Sequence, residues 1–106
     1  MENRLKNVDI DKKANVYFDG KVSSRTIFLA NGNRITLGFM LAGEYEFSTN
    51  EKEIMELSAG TLEVKLPQSN EWQIIQPEAS FEVPANATFK VKVAEFADYC
   101  CSYVKE

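Results

Sequence analysis

The stretch Thr88-Phe89-Lys90-Val91-Lys92-Val93 alternates apolar and polar or charged side chains with a period of two residues. Such alternation is typical of a β-strand that turns one face to a core and the other to solvent. The same pattern occurs in Thr61-Leu62-Glu63-Val64-Lys65-Leu66 and in Glu44-Tyr45-Glu46-Phe47. These three segments therefore predict half-buried strands.

Turn-forming residues divide the rest of the chain into short segments of the same kind. Asn31-Gly32, a strong hairpin signal, separates the predicted strands Lys21–Ala30 and Arg34–Ala42. The stretch Asn50–Leu57 is the one helical candidate, and we interpret it as a loop that enters a strand. Short strands separated by frequent turns predict an all-β fold, which we expect to be a small closed β-barrel or jelly roll.

Length and charge restrict the class of protein. The 106 residues suffice for one domain, which we place at residues 15–106 after a polar N-terminal arm at residues 1–14, disordered or loosely docked. Lys and Arg number 12 against 16 Asp and Glu, so we expect no nucleic-acid polymer as partner. Because no apolar run approaches the ~20 residues of a membrane span and no signal core precedes the domain, we expect a cytoplasmic protein without a membrane partner.

The two cysteines, Cys100 and Cys101, are neighbours in the chain. Neighbouring residues of a strand point to opposite faces, so these thiols are poorly placed to bond each other. We expect one buried and one partly exposed thiol, both reduced. Without histidine or a spaced partner cysteine, a metal or redox role is disfavoured.

The segment from Gly38 to Gly60 has the layout of a known metal-binding motif, with Glu44-Tyr45-Glu46 and a later glutamate between the two glycines. It resembles the first motif of the cupins, whose metal is held by three histidines and a glutamate. Three of the corresponding positions in this chain are Glu44, Glu46 and Glu53, and the fourth, Phe89, falls further on, where the second cupin motif has its histidine. Glu51 fits the glutamate position about as well as Glu53. Inward carboxylates leave Mg²⁺ or Ca²⁺ as an alternative, but a durable transition-metal site usually includes His or Cys. We therefore predict a cupin-like double-stranded β-helix without metal or other cofactor.

Longer strings carry a closer resemblance. They include Tyr17-Phe18-Asp19-Gly20-Lys21-Val22, Gly43-Glu44-Tyr45-Glu46-Phe47-Ser48-Thr49 and Leu57-Ser58-Ala59-Gly60-Thr61-Leu62. With them, the span from about residue 15 to residue 104 resembles the small cupin-like pyrimidine/purine nucleoside phosphorylases. The resemblance implies a metal-independent homodimer whose partners are a nucleoside and inorganic phosphate. It would cleave the N-glycosidic bond and release free base and ribose 1-phosphate.

For that reaction, phosphate requires an arginine fork or backbone N–H groups. Arg34, just after the Asn31-Gly32-Asn33 turn, is the first candidate, and Arg25 and Lys21 are weaker ones. Alternatively, Arg34 is a solvated side chain at a strand end.

Glu44 is the candidate for binding ribose hydroxyls or handling a proton, because a carboxyl inside an apolar mouth has a raised pKa. Glu46 would line the same mouth. In the alternative register, Tyr45 and Phe47 point inward and both carboxylates face solvent. Further substrate contacts are expected from Tyr45, Phe89, Met40, Met55, Tyr99 and Tyr103. Alternatively, Phe89 only packs in the core. The alternative function for the whole protein is a metal-free cupin-like module that binds a small ligand without catalysis.

Overall fold

The computed structural model describes residues 4–105, which contain nine β-strands and a short turn at Phe18–Gly20. The strands are β1 (Asp9–Ile10), β2 (Asn15–Tyr17), β3 (Val22–Phe28), β4 (Arg34–Ser48), β5 (Lys52–Gly60), β6 (Leu62–Lys65), β7 (Gln73–Ile75), β8 (Ser80–Val83) and β9 (Thr88–Val104). The predicted all-β class is confirmed. The stretch interpreted as a loop entering a strand is also confirmed, since β5 begins at Lys52. In the described part of the chain, no helix is long and apolar enough to cross a membrane.

Two long strands organise the sheet. β4 and β9 pair antiparallel from Ile35 opposite Ser102 to Ser48 opposite Thr88. The C-terminal half of β9 also pairs with β5, and its N-terminal half pairs with β6. β3 extends the sheet beyond β4, and β8 and β7 extend it beyond β5 and β6. Because the outer strands β1, β2, β7 and β8 leave free edges, the expectation of a closed barrel is wrong.

A β-bulge divides β4 between Leu41 and Gly43. There the Tyr45 hydroxyl donates a hydrogen bond to the Leu41 carbonyl oxygen at 2.6 Å, which stabilises the irregular backbone. The segments predicted as separate strands on either side thus form one continuous strand. Side chains from β4, β5 and β9, including Met40, Met55 and Phe89, belong to one buried cluster, so these strands pack around a common core.

The predicted role of Glu44 requires its side chain to point into the interior, but the strand has the opposite register. Tyr45 is buried, whereas Glu44 and Glu46 are exposed. Their cross-strand partners are Lys92 and Lys90, which lie on the same outer face. The prediction that these two carboxylates point into the interior is therefore wrong, because the charged positions of both strands share the solvent side.

Cys100 is half-buried and Cys101 is buried, and both thiols are free, which confirms the prediction made from their adjacency. Burial raises the pKa of Cys100 to about 11 and raises the pKa of Cys101 further, so both are protonated thiols at neutral pH.

Residues 9–12 of the predicted N-terminal arm lie on the sheet. β1 pairs with β3, with Asp9 opposite Phe28, and Arg25 Nη1 donates a hydrogen bond to the Lys12 carbonyl oxygen at 2.6 Å. This part of the arm is therefore paired with β3. The domain boundary at residue 15 stays a prediction.

The outer face of β4 carries an apolar strip. Phe39 and Phe96 stack there with ring centroids 5.5 Å apart and planes at 8°, although both are exposed. Leu37 and Leu41 point to the same side and are also exposed. A contiguous apolar surface of this kind is a feature of interaction sites.

Candidate active site

A cavity of about 160 Å³ is lined by side chains from β2, β3, β4, β5 and β9. A single buried water needs roughly 10–15 Å³, so this space has room for a small organic molecule. The lining combines aromatic rings, two methionines, hydroxyls, a thiol and one carboxyl. Its residues are Tyr17, Ser24, Thr36, Met40, Phe47, Ser48, Glu53, Met55, Phe89, Tyr99, Cys101 and Tyr103.

Five of the predicted substrate-contact residues share this cavity, namely Met40, Met55, Phe89, Tyr99 and Tyr103. Phe89 is also part of the buried core and packs 5.5 Å from Phe47, so it serves as both core and wall. Tyr45 does not line the cavity. Its ring packs 5.0 Å from Phe18, and its hydroxyl holds the β4 bulge.

Glu53 is the carboxyl that the cavity contains, and it is half-buried on β5 opposite Tyr103 of β9. The Cys101 thiol donates a hydrogen bond to Glu53 Oε1 at 3.5 Å. Burial raises the pKa of Glu53, while the Cys101 hydrogen bond and the positive charge of Arg34 oppose that rise. The local signal for Glu53 was its spacing from Met55. Residues two apart on a strand share a face, so the predicted wall residue Met55 also places Glu53 on the cavity side.

Hydroxyl groups line the same cavity as this carboxyl. The Thr36 and Tyr103 hydroxyl oxygens lie 3.3 Å apart, and the Asn15 side-chain amide donates to Ser24 Oγ at 3.3 Å. Burial raises the pKa of Tyr99 and of Tyr103, so both phenols are neutral hydrogen-bond donors at physiological pH. The arrangement is suited to binding a polyhydroxylated molecule. No sequence motif singled out Ser24 or Thr36.

Arg34 lines an adjoining cavity of about 480 Å³ rather than the one around Glu53. Its guanidinium lies 3.9 Å from the centroid of the Tyr103 ring, and its Nη2 bonds Glu51 Oε1 at 2.9 Å. Tyr103 borders both cavities and is the wall between them. Arg34 is therefore an oriented cation beside the Glu53 cavity. The two weaker candidates lie elsewhere: Arg25 is bound to the backbone at Lys12, and Lys21 is exposed.

Glu44 and Glu46 border a shallow hollow on the outer surface together with Trp72 and Lys90. Glu53 and Phe89, which occupy the other two cupin ligand positions, line the interior cavity instead. The four positions therefore do not converge on one point. Within residues 4–105, no group of three or more Cys, Asp or Glu side chains is placed to hold a metal ion.

Gly38, the first glycine of the cupin-like layout, lies opposite Tyr99 on the neighbouring strand. A Cβ atom at this position would overlap the Tyr99 ring. The glycine therefore allows the ring to lie flat across β4, an arrangement known from other glycine–aromatic pairs in sheets. This contact positions one wall of the cavity.

Solved structures share the fold. The crystal structure of a protein of unknown function from Acinetobacter sp. ADP1 matches with a TM-score of 0.93 at 35% identity and covers 95% of this chain and 98% of that chain. One from Acidithiobacillus ferrooxidans, also of unknown function, matches with a TM-score of 0.78 at 26% identity, over 89% of each chain.

Sequence relatives define the family. The pyrimidine/purine nucleoside phosphorylase family matches residues 12–103. A pyrimidine/purine nucleoside phosphorylase from Clostridioides difficile is 59% identical over 102 residues, which is 96% of this chain and 97% of the relative. Another from Wolinella succinogenes is 52% identical over 104 residues, 98% of this chain and 99% of the relative. The chain therefore belongs to the pyrimidine/purine nucleoside phosphorylase family, which confirms the resemblance drawn from its sequence.

Proposed function

We propose that this chain is a nucleoside phosphorylase whose active site is the cavity around Glu53. The observation that carries the proposal is a half-buried carboxyl that lines one cavity with hydroxyls and aromatic rings, inside the span of residues 12–103 that matches the family. Hydroxyls and a carboxyl suit a ribose, and aromatic rings suit a base. The alternative, a module that binds a small ligand without cleaving it, is an outcome of the experiment below.

The reaction balances without any further reactant. An oxygen of hydrogen phosphate forms a bond to C1′ of the ribose as the C1′–N bond breaks. The bonding electron pair leaves with the base, and the base receives the proton that the phosphate gives up. The products are ribose 1-phosphate and free base. The protein must hold the reactants in line and stabilise the positive charge that develops at C1′.

Glu53 replaces Glu44 as the proposed carboxyl of the site. An ionised carboxylate in a desolvated cavity is held in an unfavourable environment until a cation develops beside it. Charge developing at C1′ would relieve that cost in the transition state more than in the ground state, which is the condition for rate acceleration. In the proposal, Glu53 also accepts hydrogen bonds from ribose hydroxyls, and Thr36 and Tyr103 complete that contact.

Arg34 keeps its proposed role as the phosphate ligand. One edge of its guanidinium is bound to Glu51 and its face rests on Tyr103, so the side chain is pre-oriented beside the Glu53 cavity. Arginine pairs with phosphate through parallel N–H donors. Phosphate bound to the remaining donors would lie at the Tyr103 side of the ribose.

The proposed walls of the substrate site are Met40, Met55, Phe89 and Tyr99. Tyr45 would act at a distance, because it holds the β4 bulge and supports Phe47 rather than touching substrate. Glu46 and Glu44 have no contact with the cavity, so no step of the proposed reaction is assigned to them.

The homodimer and the cytoplasmic location stay predictions. A second copy would remove from solvent the apolar strip of Leu37, Phe39, Leu41 and Phe96 on the outer face of β4. Light scattering of the purified protein measures the assembly directly.

One assay tests the function. The purified protein is incubated with uridine, adenosine, inosine and xanthosine, each with and without phosphate and with and without a chelator. Release of free base that requires phosphate and continues in chelator is the expected result. No base release from any nucleoside would contradict the proposal, and saturable binding without cleavage would favour the ligand-binding module.

A further inference from the structure

The turn that follows β2 has a strained backbone. Phe18, Asp19 and Gly20 take φ values of 51°, 56° and 91°, so two non-glycine residues lie in the left-handed region. Strain of this kind persists where the surrounding structure over-determines it, and it is concentrated at functional sites. Here Phe18 is anchored by its ring, whose centroid lies 5.0 Å from that of Tyr45 and 5.5 Å from that of Phe47.

Tyr17, the residue just before this turn, stands at the mouth of the cavity. It lines the cavity and yet is 50% exposed. Its backbone is held in the sheet through pairing with Val22 on β3. An aromatic ring that borders a cavity while half its surface is in water leaves a face for a planar ligand.

Tyr17 and Arg34 lie at opposite ends of the site. The pairing of Tyr17 with Val22, and of Val22 with Met40, places Tyr17 level with residue 40 of β4. Residues 34 and 40 are six positions apart on one strand, a distance of about 20 Å along the backbone. The buried hydroxyls of Ser24 and Thr36 lie at the levels between them.

The chemistry of the reaction orders its ligands in the same way. Phosphate attacks C1′ on the side away from the departing base, so phosphate and base lie on opposite sides of the ribose. If Arg34 binds phosphate, the base must extend towards Tyr17. We infer that Tyr17, positioned by the anchored Phe18 turn, is the surface on which the nucleobase stacks, an inference that rests on the function proposed above.

The lining also indicates how the base would be selected. Among the described side chains that line this cavity, the polar groups are hydroxyls, one thiol and one carboxyl, and amides and guanidinium groups lie only behind or beside the lining, at Asn15 and Arg34. Discrimination between bases depends on hydrogen bonds to their edges, whereas stacking accepts any base because each has a π-face. A Tyr17 platform would therefore accept purines and pyrimidines alike.

The test compares Tyr17→Leu, which removes the ring but keeps apolar bulk, with Tyr17→Phe, which keeps the ring. Val16→Ala is the matched control, because Val16 is the adjacent residue of β2, is 61% exposed and does not line the cavity. KM and kcat are measured for inosine, adenosine, uridine and cytidine at saturating phosphate, and KM for phosphate is measured separately. Thermal denaturation reports whether each variant is folded.

Tyr17→Leu is expected to raise the KM of all four nucleosides by on the order of tenfold, the scale of one base–aromatic stack. The KM for phosphate should stay constant, Tyr17→Phe should recover most of the nucleoside affinity, and Val16→Ala should match the wild type. Unchanged nucleoside KM in Tyr17→Leu, or an equal rise in the KM for phosphate, would overturn the inference.

Calorimetric titration of the same nucleosides without phosphate separates this inference from the proposed reaction. If the wild type binds nucleosides but does not cleave them, the proposed reaction is contradicted. The role of Tyr17 is then supported if Tyr17→Leu weakens nucleoside binding by a similar factor, and overturned if it does not. If the wild type neither binds nor cleaves any of the four, both are overturned.

Discussion

Two pairs of glutamates with identical spacing have opposite environments in this fold. Glu44 and Glu46 lie on the outer face of β4, opposite Lys92 and Lys90. Glu51 and Glu53 line two adjoining cavities, where Glu51 binds Arg34 and Glu53 accepts a hydrogen bond from Cys101. A solvated carboxylate among lysines is a surface group of small energetic consequence. The half-buried Glu53 has a pKa that burial raises, and it is a candidate for chemistry.

The largest expected effect separates these two pairs. Glu53→Gln should lower kcat/KM for inosine by roughly 100-fold or more, the usual cost of losing one electrostatic contact in the transition state. Glu44→Gln makes the same substitution on the outer face, and its kcat/KM should stay within about twofold of the wild-type value. Steady-state kinetics of both variants checks this. Equal losses in the two variants would mean that burial does not distinguish the two carboxylates in function.

A second expected effect concerns the wall beside Glu53. Gly38→Ala should destabilise the fold by about 1–3 kcal/mol, because the new methyl group meets the Tyr99 ring and forces it out of place. Urea denaturation measures the change in the free energy of unfolding. Combining Gly38→Ala with Tyr99→Leu should recover part of the loss in a double-mutant cycle, since the smaller side chain removes the overlap. Strictly additive losses would show that the ring contact is not the cause.

A third effect distinguishes the two arginines that are candidates for binding phosphate. Arg34→Ala should raise the KM for phosphate roughly tenfold while the KM for nucleosides changes little, because a charge-assisted hydrogen bond to one reactant is lost. Arg25→Ala is the control, as its guanidinium is bound to the Lys12 carbonyl outside the cavity. Phosphate kinetics that are unchanged in Arg34→Ala would remove Arg34 from the site.

The smallest effect is a change in how stability depends on pH. Because the folded-state pKa of Glu53 is raised by burial, the folded protein binds this proton more tightly than the unfolded chain. The stabilisation from this proton is complete at a pH below the unfolded-state pKa of Glu53, near 4.5, and it is lost as the pH rises through the higher folded-state pKa. Glu53→Gln should therefore gain stability relative to the wild type over that interval. Denaturation curves at a series of pH values, with exposed Glu71→Gln as control, measure the difference, and parallel curves would contradict it.

Much of the architecture was accessible from local pattern. The alternation in Thr88–Val93 and in Thr61–Leu66 correctly indicated half-buried strands, and the adjacency of Cys100 and Cys101 correctly indicated one buried and one half-buried thiol. The family strings around Gly43–Thr49 identified the family. Local pattern missed the continuity of β4 through its bulge, because a bulge and a strand end have the same glycine signal in a sequence.

The candidate site was only partly accessible. Met55 and Tyr99, which the sequence predicts as substrate contacts, line the cavity. Glu53 also lines it but occurs in the sequence only as part of the cupin-like layout, and Tyr17 only as part of a family string. The prediction for Glu44 rests on a spacing at which cupins carry metal-binding histidines. In this chain the same positions carry glutamates that lie opposite lysines of the neighbouring strand, and that register depends on residues more than 40 positions away.

By itself, the sequence determined that the protein is built from strands, that it lacks histidine and that it belongs to its family, because periodicity, composition and motif strings are local properties. The tertiary structure alone decided which face of each strand is the inside. Alternation states that Glu44 and Glu46 share a side, and that Glu53 and Met55 share a side, but not which side is covered. That depends on how β9 and β5 align against each other and against β4, and this alignment moves the candidate carboxyl from Glu44 to Glu53.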